Sequence, residues 1–224
     1  MTMRLTSLAL TTALTATVLA SAPAFAEPTI SVYGGHNSSP HSRVHYDFND
    51  GQGRQHVTPA WDGLSFEAPP YYGLRATWWM DSMPNVGFAV DFTHAKVAAQ
   101  LPEGGFTKLE FTDGINFLTA NALYRWDNLH ERFTPYVGAG VGLTIPKVEV
   151  NHVNLAQETN EYQVTGAAGQ VFVGVDFALT ENWSVFGEYK FSAGQVDGDL
   201  VGGGNIETRI FSNQAIFGVT YKFK

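Results

Sequence analysis

Cysteine is absent from all 224 positions of the sequence. This absence excludes a disulfide framework, a thiolate metal site and a cysteine nucleophile. A chain that leaves the cytoplasm without disulfides needs another source of rigidity. A closed ladder of hydrogen bonds between β-strands would supply it.

Long apolar runs are also missing once the N-terminal segment is set aside. After Glu27 no stretch of about 18 apolar residues occurs, so we expect no membrane-spanning helix. Charged residues make up only 15% of the chain, and the net charge is −8. Because the lysines and arginines are scattered and form no basic patch, we expect no nucleic-acid partner.

The first 26 residues have the pattern of a secretory signal peptide. Arg4 carries the single charge, an apolar stretch runs from Leu8 to Leu19, and Ala24-Phe25-Ala26 precedes Glu27. We therefore expect cleavage after Ala26, which leaves one domain, residues 27–224. An uncleaved membrane anchor is the alternative, but the apolar stretch is short and no basic flank follows it.

The remaining chain shows two-residue alternation of apolar with small or polar side chains. Eight segments have this pattern, and the connections between them alternate between short and long. The sequence therefore predicts an all-β fold: an eight-stranded antiparallel up-and-down transmembrane β-barrel of the outer membrane, with short periplasmic turns and long extracellular loops. The predicted strands are residues 29–36, 70–80, 86–97, 114–126, 134–145, 162–178, 183–192 and 208–223.

The alternation also predicts which face of the wall meets lipid. Val137, Val141 and Leu143 share one face of their strand, and the glycines between them share the other. A soluble periplasmic barrel, the alternative, would need a bulky apolar interior and a polar exterior. Because charged residues fall on the glycine side, we expect the bulky side to face lipid. The aromatic residues expected in girdles at the membrane interfaces are Tyr33, Trp78, Trp79, Trp126, Tyr136, Trp183 and Tyr221.

An inward-facing charge is predicted at Asp91. Folding the surrounding hairpin about Met83 places Arg75 directly opposite Asp91 on the same face. Because an isolated carboxylate in the lumen would be costly, we expect a structural plug of ion pairs there, with a proton pathway as the alternative. The further charged residues predicted to face inward are Arg125, Asp176, Glu188 and Lys190.

Histidines and carboxylates concentrate at the predicted outer rim. The rim histidines are His36, His41, His45, His56, His94 and His152. Most such residues are solvated loop side chains, but several at one end of a barrel can form a metal or acid–base site. The sequence has no HExxH or GxSxG motif to assign their roles.

The candidate catalytic set is His41, His94, Glu110 and Asp113. A histidine would act as a base or a cation ligand, and the two carboxylates, from the segment LEFTDGIN, would bind a divalent cation. Strict alternation from Phe92 places His94 on the outer wall unless a bulge turns it inward.

Several segments together resemble a known family. They are SVYGGHNSSPHSRV, WDGLSFEAPPYYGLRATWW, VDFTHAKV, LEFTDGIN, TPYVGAGVGL, YQVTG and WSVFGEYK. They are similar to the proteins named lipid A oxidases in alphaproteobacteria, within the OmpA-like outer-membrane barrels. The resemblance implies oxygen-dependent oxidation of the proximal glucosamine of lipid A to 2-aminogluconate, with release of hydrogen peroxide. Molecular oxygen would be the co-substrate, and a divalent metal cation an optional cofactor.

Two functions therefore compete. One is a lipid A-modifying enzyme with its site at the outer rim. The other is a non-catalytic structural or surface-binding barrel whose acidic loops meet cations, lipopolysaccharide or host molecules. In both cases we expect outer-membrane lipid and lipopolysaccharide as neighbours and the barrel-assembly machinery as the partner that inserts the chain.

Overall fold

A computed structural model of the protein describes residues 25–101, 104–127 and 129–223. No helix in these ranges is long and apolar enough to cross a membrane. The predicted signal peptide lies outside the described residues, except for Phe25 and Ala26, whose backbone begins the first strand. The strands are β1 (Phe25–Ser38), β2 (Val44–Asp47), β3 (Gln55–Val57), β4 (Trp61–Asp62), β5 (Tyr72–Met80), β6 (Val86–His94), β7 (Val97–Ala99), β8 (Phe106–Phe111), β9 (Ile115–Arg125), β10 (Phe133–His152), β11 (Thr159–Tyr162), β12 (Gly166–Ala178), β13 (Trp183–Asp199) and β14 (Asn205–Lys222).

Eight of these strands close into a ring in which every neighbouring pair is antiparallel. The order around the ring is β1, β5, β6, β9, β10, β12, β13 and β14, and β14 pairs with β1 to close it. The closed ladder leaves no exposed edge in the wall, so it supplies the rigidity that disulfides do not. The predicted eight-stranded antiparallel barrel is confirmed.

The two ends of the ring differ as the sequence predicts. Short connections, residues 81–85, 126–132 and 179–182, lie at one end. Three of the four connections at the other end are longer, and the fourth, residues 200–204, is short because β13 and β14 themselves extend outward. β10, β13 and β14 contain 20, 17 and 18 residues, whereas about 9–11 residues span the hydrocarbon core. These strands therefore continue well beyond the membrane at the end with the longer connections.

The extended strands and the six short strands form a folded outward part that we call the head. It comprises residues 39–71, 95–101, 104–114, 146–165 and 195–208. Its core consists of large side chains that are at most 1% exposed: Val44, Val97, Phe106, Leu109, Phe111, Val148, Val150, Val196 and Ile206. Burial of each such side chain stabilises the fold by about 1.5–3 kcal/mol. The head therefore has a packed core of its own.

Two of the segments predicted as long loops, residues 146–161 and 193–207, contain extended β-strands. The predicted loop 193–207 is a hairpin, in which β13 and β14 stay paired as far as Asp199 and Asn205 and only residues 200–204 connect them. β10 runs on through the predicted loop 146–161 to His152 and pairs there with β8 and β11. The physical reason is that the two-residue alternation continues in these segments. Val148, Val150 and Val196 face the head core, and charged residues such as Glu149 and Asp197 alternate with them on the other face.

The faces of the wall have the polarity of a membrane barrel. Val141 is 73% exposed and Phe217 is 65% exposed on the outer surface, whereas Ser184, Ser212 and Gln214 are fully buried in the lumen. A soluble barrel would show the reverse. The prediction that the bulky apolar face lies outside is confirmed.

Three of the seven aromatic residues predicted for the girdles point inward instead. Tyr33, Trp79 and Tyr136 are buried in the lumen, while Trp126 and Trp183 lie exposed near the short turns. The phenols of Tyr33 and Tyr136 donate hydrogen bonds to Asp91 at 2.7 Å and to Glu188 at 2.9 Å. These two tyrosines are therefore part of the hydrogen-bonded network in the lumen. They were predicted as girdle residues because they lie near strand ends, but the strand face that they occupy points inward.

A buried plug of two cations and two carboxylates crosses the lumen. Arg75 lies opposite Asp91 in the register of β5 and β6, as predicted. Arg75 donates to both Glu188 oxygens at 2.7 and 2.8 Å and to Asp91 at 3.1 Å. Lys190 donates to Asp91 at 2.8 Å, and Gln170 adds a bond at 3.0 Å. All four charged side chains are at most 4% exposed, so the plug closes the lumen.

Arg125 and Asp176 lie outside this plug, contrary to the predicted network. The Arg125 guanidinium covers the Trp79 ring at 4.2 Å, and the Asp176 carboxylate accepts a hydrogen bond from Ser184 at 2.7 Å. Both residues line a cavity of about 250 Å³ between the plug and the short turns. Their positions near the periplasmic ends of their strands keep them from reaching the plug.

We predict that Asp91→Ala strongly destabilises the barrel. The substitution leaves Lys190 and Arg75 buried without one of their carboxylate partners, and breaking a buried ion pair in this way costs about 3–5 kcal/mol. Equilibrium unfolding in urea, monitored in lipid vesicles, measures the loss. The exposed control Asp197→Asn should change the free energy of unfolding by less than about 0.5 kcal/mol. Equal stability of Asp91→Ala and the unsubstituted protein would contradict the plug.

Candidate functional site at the outer rim

His94 lies on the outer wall at the top of the apolar band. The register of β5 and β6 is continuous up to the pair Tyr72 and His94, so no bulge turns the side chain inward. The imidazole stacks on the Tyr72 ring, with centroids 4.8 Å apart. Although it is on the outer face, His94 is only 3% exposed.

Gly114 is the reason that His94 is covered. The backbone of Gly114 has φ +110° and passes directly over the imidazole, so that a Cβ there would lie 2.5 Å from Nδ1. A side chain at this position would have to displace the ring or the turn, and φ in this region also disfavours any residue except glycine. The Asp113-Gly114 turn therefore acts as a lid on the histidine.

One nitrogen of His94 is fixed and the other is not. Nδ1 lies 2.9 Å from Oδ1 of Asn116, whose amide nitrogen donates to the carbonyl of Ile145 at 3.1 Å. This orientation of the amide makes Asn116 Oδ1 the acceptor and Nδ1–H the donor. Nε2 is buried and makes no hydrogen bond of ordinary geometry within the described residues, although the backbone of Pro69 is a weak partner of the imidazole.

Glu110 and Asp113 belong to one charged network at the rim of the head. Lys147 contacts Asp113 and lies 3.4 Å from Glu149. Lys108 reaches Glu149 at 2.5 Å and Glu110 at 3.4 Å. The two lysines thus link the two predicted carboxylates through a third one, Glu149.

The lysines hold the carboxylates of this network in the ionised form. Burial opposes ionisation of Glu149, but the hydrogen bond and charge of Lys108 and the charge of Lys147 outweigh it and lower its pKa. The hydrogen bond from Lys147 lowers the pKa of Asp113. Because both folded-state pKa values lie below the ordinary ones, the network stabilises the head at neutral pH. That contribution is lost as the pH falls through the folded-state values.

Glu149 was not among the predicted site residues. Its side chain is only 6% exposed, and Thr112 also donates to it at 3.1 Å. The signal was present in the segment Lys147-Val148-Glu149-Val150, where charged and apolar residues alternate as they do in a strand. Because the segment was predicted to be a loop, Glu149 was not predicted as a site residue.

His41 is not part of this site. It is exposed on the connection between β1 and β2, and no contact within the described residues joins it to the other three predicted residues. The structure thus brings Asp113 close to His94 through Gly114 and links Asp113 to Glu110 through the lysines, but it leaves His41 apart.

The donor set does not match the predicted divalent cation. The described residues include no group of three histidines, aspartates or glutamates placed to hold a metal ion. Glu110 and Asp113 each already have a lysine partner, at positions where a cation would have to compete. No step of a reaction is therefore assigned to a metal at this rim.

His152, another rim histidine, is part of the head core. Its Nε2 donates to the carbonyl of Gly104 at 2.8 Å, and its Nδ1 accepts from the backbone N–H of Asn154 at 3.1 Å. The ring packs against Phe48 and Phe106, with centroids 4.5 and 4.9 Å away. Both nitrogens are satisfied, so His152 is structural.

The structure is a sealed eight-stranded barrel with an apolar outer wall, short turns at one end and a folded head at the other. These features define the class of integral outer-membrane β-barrel proteins. The chain belongs to the outer membrane protein β-barrel domain family, whose pattern matches residues 7–223. The predicted outer-membrane location follows from this membership.

One curated relative and several solved structures are similar to the chain. The outer membrane protein PagN of Salmonella typhimurium is 31% identical over 114 residues, which are 46% of this chain and 47% of PagN. The match thus spans about half the length of that relative. Neisserial surface protein A has a TM-score of 0.49 at 16% identity, covering 88% of this chain and 97% of its own. The outer membrane protease OmpT of Escherichia coli has a TM-score of 0.48 at 12% identity, covering 90% and 98%.

We predict that Glu149→Gln loosens the junction between β8 and β10. Removing the central carboxylate deprives Lys108 and Lys147 of a shared partner, and a hydrogen bond to a charged group contributes about 1.5–3 kcal/mol. Amide hydrogen exchange of residues 106–111, followed by mass spectrometry at pH 7, should accelerate about tenfold or more. Glu158→Gln, which removes a more exposed partner of Lys108, is the matched control and should leave the exchange nearly unchanged. Unaltered exchange in Glu149→Gln would show that the network does not hold the junction.

Proposed function

We propose that this protein is a non-catalytic, surface-binding outer-membrane barrel whose head takes a positively charged ligand. The observation that carries the proposal is the head itself, a packed β-structure with its own core standing on a closed barrel. Rigid surfaces of this kind reduce the conformational entropy that a binding protein loses when its ligand docks.

The closed lumen supports a function at the surface. Asp91 and Lys190 are fully buried, and the plug they form fills the ring from wall to wall. Eight strands leave an interior that side chains alone can fill. Passage of a solute through the barrel is therefore not the function we propose.

The charge of the head indicates the sign of the ligand. Carboxylates outnumber lysines and arginines in the described part of the head, and several are exposed on its surface. The exposed ones are Asp50, Asp62, Glu67, Glu158, Glu161, Asp197 and Asp199, and the partly exposed ones are Asp47, Glu110, Asp113 and Glu207. A surface of this charge attracts cationic peptides or proteins and repels anionic polymers.

The membrane supplies the other proposed partners. The apolar wall would contact outer-membrane lipid and lipopolysaccharide. Insertion of the chain would require the barrel-assembly machinery. A surface-binding barrel and a lipid A-modifying enzyme would share all of these partners.

Binding of a cationic probe tests the surface-binding proposal. We predict that the folded protein in detergent binds an oligolysine peptide and does not bind heparin, with an affinity that falls as salt increases. The triple variant Asp47→Asn/Asp50→Asn/Asp199→Asn, at the tip of the head, should weaken oligolysine binding.

The control for this measurement carries its substitutions at the opposite end of the barrel. Asp81→Asn/Glu131→Gln changes exposed carboxylates in the short turns and should leave oligolysine binding unchanged. Preferential binding of heparin, or equal oligolysine binding by both variants, would contradict a cation-binding head.

A second candidate is the oxidation of lipid A, and His94 is the observation that favours it. Its imidazole lies at the membrane edge beside Tyr72, and Nε2 makes no hydrogen bond of ordinary geometry. The Asp113-Gly114 turn that covers the ring would have to move for a lipid A headgroup to reach it. The reaction would convert the aldehyde-level C1 of the proximal glucosamine into a carboxylic acid. Water would supply the added oxygen, and two electrons and two protons would pass to molecular oxygen to give hydrogen peroxide. His94 would act as the base that accepts a proton from the substrate.

Mass spectrometry of lipid A tests this second candidate. If it holds, lipid A from cells containing the protein gains the mass of one oxygen. His94→Phe, which keeps a ring on Tyr72 but removes both nitrogens, should abolish the gain, and His41→Ala should not. Absence of the gain in cells with the unsubstituted protein would exclude the oxidase and leave the surface-binding proposal in place.

A further inference from the structure

Four side chains form a row across the outer face of the head. Asp197 of β13, Glu207 of β14, His45 of β2 and His56 of β3 are successive cross-strand partners. Directly opposed residues of antiparallel strands point to the same face, with Cβ atoms about 4.5–5.5 Å apart. Because Val44 of the same strand is buried in the head core, the row faces outward.

The two imidazoles of this row are close neighbours. The ring centroids of His45 and His56 are 5.8 Å apart, and the rings are tilted by 49°. His56 is exposed and His45 is half-buried, so both can be reached from solution. Within the described residues no hydrogen bond fixes a nitrogen of either ring.

We propose that His45 and His56 form a two-imidazole site for a divalent transition-metal ion on the outer face of the head, with water completing the shell. A metal ion lies about 2.0–2.1 Å from a ligating imidazole nitrogen, which puts the centres of two rings on one ion about 5–6 Å apart. The observed separation of 5.8 Å lies within this range.

The surroundings determine which ion the pair would take. Glu207 adjoins His45 in the row, but Arg54 engages its carboxylate, and no third histidine or carboxylate within the described residues completes a closed cage. Calcium and magnesium require several oxygen donors, which this pair does not offer. Imidazole nitrogen suits Cu²⁺ and Zn²⁺, and Cu²⁺ is bound more tightly by such donors.

This inference does not depend on the proposed cationic ligand of the head. The tip carboxylates that the oligolysine experiment replaces are Asp47, Asp50 and Asp199, none of which belongs to the histidine pair. Loss of oligolysine binding and loss of metal binding can therefore be observed separately.

Copper binding by the full chain tests the proposal. The protein is prepared without a polyhistidine tag and titrated with Cu²⁺ in detergent at pH 7.5. Electron paramagnetic resonance should show one copper per chain with hyperfine coupling to two nitrogen atoms. Zn²⁺ should bind at the same site more weakly by calorimetry, and Cu²⁺ binding should weaken at pH 5.5, where protons compete for imidazole.

Single substitutions identify the ligands. His45→Ala and His56→Ala should each weaken Cu²⁺ binding about tenfold or more, since loss of even an outer-shell partner has an effect of that size. His41→Ala, which removes an exposed histidine from the neighbouring connection, should leave binding unchanged. Heat-modifiable migration on gels shows that each variant is folded. Copper coupled to a single nitrogen, or undiminished binding by the double variant His45→Ala/His56→Ala, would overturn the proposal.

Discussion

The narrow lumen of an eight-stranded ring is the constraint on which the rest of this structure depends. Only side chains fit inside such a ring, so each inward residue must be small or must pair with another. Arg75 and Lys190 meet Asp91 and Glu188 there. The remaining space is filled by small polar side chains and by the rings of Tyr33, Phe172 and Phe186, which lie against glycines. The apolar side chains for which the lumen has no room lie on the outer wall, where they face lipid.

Because the lumen is closed, the residues available for binding or catalysis lie at the outward end of the molecule. β10, β13 and β14 pass without interruption from the wall into the head, so the plug and the head are parts of one hydrogen-bonded sheet. Every candidate site lies on this outward extension. The sites are the covered histidine at the membrane edge, the acidic surface and the pair His45 and His56.

The two-residue periodicity predicted the barrel wall because each side chain of the wall faces only one of two environments, lipid or lumen. The Arg75–Asp91 pair followed from the same rule, since hairpin register fixes direct opposites. The head was missed because most of its strands are only two to six residues long, and because their partners are distant in sequence, as in the pairing of β8 with the end of β10. His94 was placed correctly on the outer wall. Its burial under Gly114 depends on the backbone of another segment, which alternation cannot predict.

Because the chain has no cysteine, single cysteines introduced for spin labelling give an unambiguous test of wall orientation. Labels at Val141→Cys and Val171→Cys are compared in lipid vesicles with a label at Asp197→Cys in the head. The lipid-facing orientation predicts that the two wall labels relax strongly with oxygen and weakly with a water-soluble nickel chelate, and that the head label does the opposite. Strong relaxation of the wall labels by the nickel chelate would show that these valines face water, and the lipid-facing orientation of the wall would be wrong.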